Sequence, residues 1–238
     1  MIEVSRLSVS LGDQNILDNI NFVLPDTHNL AILGRSGSGK TVLIKTLLGI
    51  YTPDSGDVII DGINVHSALP VERKALKKRF AMVFQNAALL DSFTVMQNVA
   101  LPLYERGETD CEAIRERVVN CLKTVGLEQT LELYPSQLSG GMRKRIGIAR
   151  ALVYEPDYIV FDEPVSGLDP ITAGEIIYYI SQIADTAQAT LITITHEVRN
   201  LEQICNHLLF LDSGKLLFYG SLEELKSSSN DFIRKYMS

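Results

Sequence analysis

Hydrophobic positions along this chain follow a strand-like alternation at both ends and a helical spacing in the middle. Ile2, Val4, Leu7 and Val9 predict one half-buried strand, and Ile20, Phe22 and Leu24, just before Pro25, predict another. Asp13-Gln14-Asn15 is the expected turn between them. Leu30 to Leu33 is an unbroken apolar run, and Val42 to Leu48 predicts a helix that Gly49 closes in the left-handed conformation wanted there. Asp57 to Ile60, the turn Asp61-Gly62 and the return Ile63-Asn64-Val65 predict a hairpin. Phe80 to Phe84 reads as a short buried strand.

After Gln85 the spacing turns helical as far as about Leu152. Thr109 to Val125 is the clearest helix: Ile114, Val118, Leu122 and Val125 share a face, Thr109 and Glu112 predict a capping box, and Gly126 is the stop. Strand patterns then resume at Tyr158–Phe161 and Thr190–Ile194, with a helix from Ile171 to about Ala184 between them. A hairpin follows, Leu208–Leu211 and Leu216–Tyr219 around Asp212-Ser213-Gly214. Ser221 with Glu224 caps one short helix, Asn230 starts another, and Arg234-Lys235 makes a solvated final turn. The layout is an α/β core with a helical lobe inserted between its strands.

Composition narrows the classes. With 46% hydrophobic residues over 238 positions, a substantial core forms and disorder is excluded. A formal charge of −7 opposes broad nucleic-acid binding, which calls for a basic face. No apolar run approaches the roughly 18 residues of a membrane span. Met1-Ile2-Glu3 does not begin a signal peptide, so a cytoplasmic chain is expected. Cys111, Cys121 and Cys205 lack zinc-like spacing and are expected to be buried small hydrophobes.

The chemistry concentrates in a few stretches. Gly34-Arg35-Ser36-Gly37-Ser38-Gly39-Lys40-Thr41 matches G-x-x-x-x-G-K-[ST] between an apolar strand and a helix, the pattern of a phosphate-binding loop. Its glycines let backbone N–H groups wrap phosphate oxygens, Lys40 brings a positive charge to the β- and γ-phosphates, and the Thr41 hydroxyl suits Mg²⁺. Asp162 and Glu163 follow an apolar strand: Asp162 is expected to hold Mg²⁺ through its water shell, and Glu163 to polarise the water that attacks the γ-phosphate. Ser139, Gly140 and Gly141 open a helix expected from about Met142 to Tyr154, offering a cap and N–H groups to an anion.

Gly34–Thr41, Gln85, Leu138–Gly141, Tyr158–Glu163, Ser166–Asp169 and His196 stand in the order found in the ABC-transporter nucleotide-binding domain, which the chain resembles over essentially its whole length. The resemblance implies an α/β P-loop NTPase fold: a RecA-like core with an antiparallel β-subdomain (1–85 and 153–220), an inserted helical subdomain (86–152) and a short helical tail (221–238). It implies a head-to-tail homodimer that sandwiches two ATP molecules, each between one copy's phosphate loop and the other's Ser139-Gly140-Gly141. Gln85 would sense Mg²⁺ and the attacking water, Asp169 would lie at the dimer seam, and His196 would contact the γ-phosphate and orient the water. Departures are Leu11, where an adenine-stacking aromatic is usual, Met142 in place of glutamine, and Glu197 in place of aspartate.

More narrowly, Phe84 to Val95, Asn98-Val99, Pro102-Leu103, Leu138 to Arg145 and Asp169 to Ala173 resemble the Mla-type (maintenance of lipid asymmetry) phospholipid-transport ATPases. That group implies a membrane permease, an Mce-type lipid-shuttling protein, in some members a STAS-domain partner, and a place on the inner face of the cytoplasmic membrane. Importers of amino acids and other small solutes share much of the pattern. A soluble ATPase of cofactor assembly, also a short single domain, is the reading from a different class.

Overall fold

Alternation at the start of the chain gives two long antiparallel strands, β1 (Ile2–Leu11) and β2 (Gln14–Leu24), joined at Gly12-Asp13. The turn is therefore tighter than expected, because Gln14 and Asn15 already pair with Leu11 and Ser10. The structure is a computed structural model and describes residues 1–26, 28–196 and 201–227. In chain order β3 (Leu30–Leu33), α1 (Lys40–Leu47), β4 (Ser55–Ile60), β5 (Ile63–Asn64), α2 (Pro70–Lys77) and β6 (Phe80–Val83) follow. Then come α3 (Val95–Glu105), α4 (Cys111–Thr124), α5 (Gly140–Leu152), β7 (Tyr158–Asp162) and α6 (Pro170–Thr186). The described chain ends with β8 (Thr190–Ile194), β9 (His207–Asp212), β10 (Lys215–Ser221) and α7 (Leu222–Lys226). Among the described residues, no helix is long and apolar enough to cross a membrane.

The chain divides into two compact units, one of Met1–Phe80 with the described residues from Thr190 on, the other of Ala81–Ala189. In the first, β2, β1, β4 and β5 form an antiparallel sheet in that order. Ile2, Val4, Leu7, Ile20, Leu24, Val58 and Ile60 point into its core. The β4–β5 hairpin turns at Asp61-Gly62, both left-handed at φ 49° and 80°, as that dipeptide favours. Within the same unit β3 pairs in parallel with both β8 and β9, and β10 runs antiparallel to β9. Every residue of β3 is buried, which is why a central parallel strand reads as an unbroken apolar run. Helix α2 lies outside the sequence expectations, since Leu76 is its only buried residue and gives no periodic signal.

In the second unit β6 and β7 lie side by side, and α3, α4, α5 and α6 supply the rest. Ile114, Val118 and Leu122 of α4 are buried as expected. Its cap differs: Asp110, not Thr109, accepts from the N–H groups of Glu112 and Ala113. A carboxylate is the stronger acceptor at a helix N-terminus, so the helix starts one residue later. Helix α5 starts at Gly140, before the expected Met142, and Ser139 caps it. Cys205 is buried, with its thiol pushed up to about 12 by desolvation, and Cys121 is half-buried, pushed up to about 11 by the same cause. Cys111 is exposed, contrary to the expectation of burial, because it sits on the polar side of the first turn of α4. The cap formed by Ser221 and Glu224 is present at α7. The expected helix at Asn230, the Arg234-Lys235 turn and Glu197 lie outside the described residues.

Candidate functional site

The segment between β3 and α1 forms a loop whose glycines carry positive φ: 149° at Gly34, 77° at Gly37 and 104° at Gly39. At Gly34 the requirement is spatial too, because a Cβ there would collide with the Leu211 carbonyl oxygen and Ser38 Oγ. Arg35, Ser36 and Gly37 are exposed at the tip, whereas Ser38, Gly39 and Lys40 are buried. Lys40 folds back over its own loop: Nζ donates to the carbonyl oxygens of Gly34 at 2.7 Å and Arg35 at 3.0 Å. Its ammonium is thereby poised over the concavity. Ser38 Oγ is buried without a hydrogen-bond partner. A loop closed to a Cβ at Gly34 and Gly39, an ammonium held by two carbonyls and an unsatisfied hydroxyl together suit a phosphate chain. Thr41 is exposed at the first turn of α1, and His196 is exposed after β8.

The remaining expected site residues belong to the second unit. Asp162 ends β7, and Glu163 follows it in the left-handed conformation, φ 48°, which an L-residue keeps only when its surroundings hold it. The Ser166 N–H donates to the Glu163 carbonyl oxygen at 3.2 Å and closes the turn. Gln85, just after β6, reaches this turn: its Nε2 donates to Ser166 Oγ at 3.0 Å. Gln85 and the Glu163 turn are thus brought together. Within this unit Gln85 and Asp162 offer an amide oxygen and a carboxylate, both hard oxygen donors. Among the described residues there is no cluster of three His, Cys, Asp or Glu side chains that could hold a metal by itself.

Ser139 caps α5 by accepting from the Met142 N–H at 3.2 Å, with Ser139 and Gly140 exposed at the helix end. Gly141 is buried, and a Cβ on it would collide with Thr172 Cγ2. The same threonine donates Oγ1–H to Asp169 Oδ2 at 2.6 Å, while Asp169 caps α6 through the N–H groups of Ile171 and Thr172. Thr172 thus ties Asp169 to the glycine segment. The hydroxyl and N–H donors of Thr172 hold the Asp169 carboxyl below the usual carboxylate range.

Three residues have structural roles that the sequence does not announce. Lys144 looked like one member of the basic run Arg143-Lys144-Arg145, yet it is only 9% exposed, and Nζ donates to the carbonyl oxygens of Pro164 and Ser166 at 2.8 Å each. Burial pushes its ammonium pKa down, against the charge of Glu163, which pushes it up. The signal was its spacing, since Gly141, Lys144, Ile148 and Ala151 all lie on the buried face of α5. Asn98 of α3 is fully buried: it accepts from the Leu90 N–H and donates to the carbonyl oxygens of Leu90, Phe93 and Thr94. Arg150 of α5 donates to the Ala87 and Ala88 carbonyls, where φ is 58° and 47°. The two side chains shape the whole loop after Gln85.

The profile of the family described as ABC transporter matches residues 17–166. The intermembrane phospholipid transport system ATP-binding protein MlaF of Escherichia coli (strain K12) is 34% identical over 237 residues, which take in 100% of this chain and 88% of that protein. The methionine import ATP-binding protein MetN of Carboxydothermus hydrogenoformans is 37% identical over 228 residues, 94% of this chain and 67% of that protein. Among solved structures, the dimeric ATP-binding cassette MJ0796, in a post-hydrolysis state bound to ADP and Pi, is similar at a TM-score of 0.82 and 28% identity, covering 93% of this chain and 99% of that one.

Proposed function

We propose that this chain, which belongs to the ABC transporter family as an ATP-binding and ATP-hydrolysing subunit, drives a membrane permease that moves phospholipid. The observation that carries the phospholipid reading is the likeness to a phospholipid-transport ATPase along the full length of the chain. The loop after Gln85, part of that likeness, is a built structure around Asn98 and Arg150 and a firm surface for permease helices to press on. A core with an antiparallel β-subdomain (1–85 and 153–220) receives nucleotide, and the helical subdomain (86–152) transmits its state. Two copies close head to tail on two ATP molecules, hydrolysis and release reopen them, and the permease follows. The permease holds the chain on the inner face of the cytoplasmic membrane, with an Mce-type lipid-shuttling protein and a STAS-domain protein as further partners.

In this reading the N–H groups from Gly34 to Thr41 and the Lys40 ammonium bind the β- and γ-phosphates of ATP. Thr41, Asp162 and Gln85 would hold Mg²⁺, which would supply positive charge to the bound phosphates. His196 orients a water in line with the γ-phosphorus, and Glu163 takes its proton as the new P–O bond forms and the bond to ADP breaks. The second copy's Ser139, Gly140 and Gly141 donate to the γ-phosphate from the end of α5, and Asp169 borders the seam.

Purification from native membranes in gentle detergent tests the transport reading. A permease with an Mce-type protein and bound phospholipid is the expected result. The similarity to a methionine importer favours a second reading, which recovery of a permease with a solute-binding protein would establish instead. Recovery from the soluble fraction alone, without a membrane partner, counts against both.

A further inference from the structure

We propose that Lys144 is a positioning residue for hydrolysis: it holds the turn carrying Glu163 in the geometry that activates water, and fixes that turn to the helix serving the second copy's nucleotide. The proposal rests on the reading of Glu163 as the water-activating carboxylate. Lysine is rarely fully buried, and a charge on the apolar face of a helix is unfavourable unless it is paired. Here two carbonyl oxygens satisfy it, those of Pro164 and Ser166, each 2.8 Å from Nζ. They flank Val165 and lie immediately after Glu163, whose own φ of 48° needs outside support. Gln85 grips the same turn at Ser166 Oγ from the opposite chain direction. The turn is therefore clamped by groups far away in sequence, one on α5 and one just after β6.

Lys144 also lies about one helical turn beyond Ser139-Gly140-Gly141, on the same rigid helix. Any shift of that helix end is passed through the ammonium to the Glu163 turn. Closure on the second copy's nucleotide is thus linked to activation of the chain's own water. Binding of ATP by the phosphate loop does not need this link, so the two functions separate on substitution.

The test compares Lys144→Met, which keeps length and apolar packing but removes the ammonium, with Lys144→Arg, whose fork reaches both carbonyls. For Lys144→Met the expected loss in kcat is about 10- to 100-fold, the scale of a misplaced catalytic group, with KM for ATP within about twofold. Lys144→Arg should recover at least about a third of the wild-type rate. Combined with Glu163→Gln, Lys144→Met should still form the nucleotide-trapped dimer on size exclusion as readily as Glu163→Gln alone. Wild-type kcat in Lys144→Met overturns the proposal. So does a rise in KM with loss of the trapped dimer, which would assign Lys144 to the helix end and not to the turn. If melting shows that Lys144→Met does not fold, Lys144→Gln carries the same test, because its amide can serve one carbonyl and should give an intermediate rate. Glu163→Gln alone probes the underlying reading: hydrolysis at the wild-type rate would remove Glu163 as the base whatever Lys144 does.

Discussion

The phosphate loop and the Glu163 turn solve the same problem, holding polar groups at fixed positions, by opposite means. The loop is shaped largely by its own glycines and by Lys40, which hydrogen-bonds carbonyls five and six residues earlier, with one outside bond from the Gly214 N–H to the Ser38 carbonyl oxygen. The Glu163 turn contains no glycine before Gly167 and holds a glutamate in the left-handed region. Its geometry comes from Lys144 and Gln85, which lie 22 and 81 residues from Ser166. A local device survives changes elsewhere in the fold. A device assembled from distant residues responds to them, and the proposed link between hydrolysis and dimer closure needs the second kind.

The two devices separate most sharply when the carboxylate is taken from the turn and the loop is left intact. Glu163→Gln should lower ATP turnover about 10²- to 10⁴-fold, the usual contribution of a positioned base, and leave ATP affinity unchanged. Steady-state hydrolysis with equilibrium binding measures both. Parallel loss of affinity would mean that the turn and the loop are not functionally separate. The converse substitution attacks the loop. Lys40→Ala removes a buried cation from the phosphates and should weaken ATP binding by about 100-fold or more, equivalent to about 2.8 kcal/mol or more. Titration with a fluorescent ATP analogue reads this out, and near-wild-type affinity would sink the phosphate-loop assignment.

Most of the fold was legible in the sequence because its signals are local. Period-two alternation marked β1 and β2, Asp61-Gly62 marked a hairpin turn, and Gly49 and Gly126 ended α1 and α4 with φ of 65° each. The phosphate loop was legible for the same reason, since its residues are contiguous. Legibility failed where one residue's role depends on a distant partner. Lys144 gave no sign of its role because its carbonyl partners come 20 and 22 residues later. Asn98 carried no signal that it would cap four backbone groups of the loop before it. Asp110 displaced the Thr109 cap because two adjacent residues could each serve, and only the backbone geometry chose.

Asn98 extends the contrast from chemistry to stability. Asn98→Ala takes the side-chain partner from the Leu90 N–H and the Phe93 carbonyl, while the Leu90 and Thr94 carbonyls keep the N–H groups of Phe93 and Asn98. Buried unsatisfied groups of this kind cost about 1–3 kcal/mol each, with partial relief from relaxation, so a net loss of about 2–4 kcal/mol is expected. Thermal unfolding should shift down by roughly 5–10 °C for a domain of this size. ATP affinity at the phosphate loop should hardly change. An unaltered melting temperature would show that the loop after Gln85 is held by something other than Asn98.

The smallest expected effect concerns the nucleotide base. Leu11 ends β1, 39% exposed, where an aromatic is usual in the family the chain belongs to. An aliphatic side chain gives apolar contact but no face for stacking, and it does not distinguish the hydrogen-bonding edges of adenine and guanine. Affinity then comes almost entirely from the phosphates, as the local construction of the loop suggests. GTP should therefore replace ATP with KM within about tenfold, a penalty of about 1.4 kcal/mol or less. Leu11→Tyr should tighten ATP binding by roughly 2- to 10-fold through stacking worth about 0.5–1.5 kcal/mol, with kcat unchanged, because the turn that carries Glu163 takes no part in holding the base. Strong rejection of GTP by the wild type would mean that another side chain reads the base. A changed kcat in Leu11→Tyr would show that base contact and water activation are linked, and the separation between the two devices would then be incomplete.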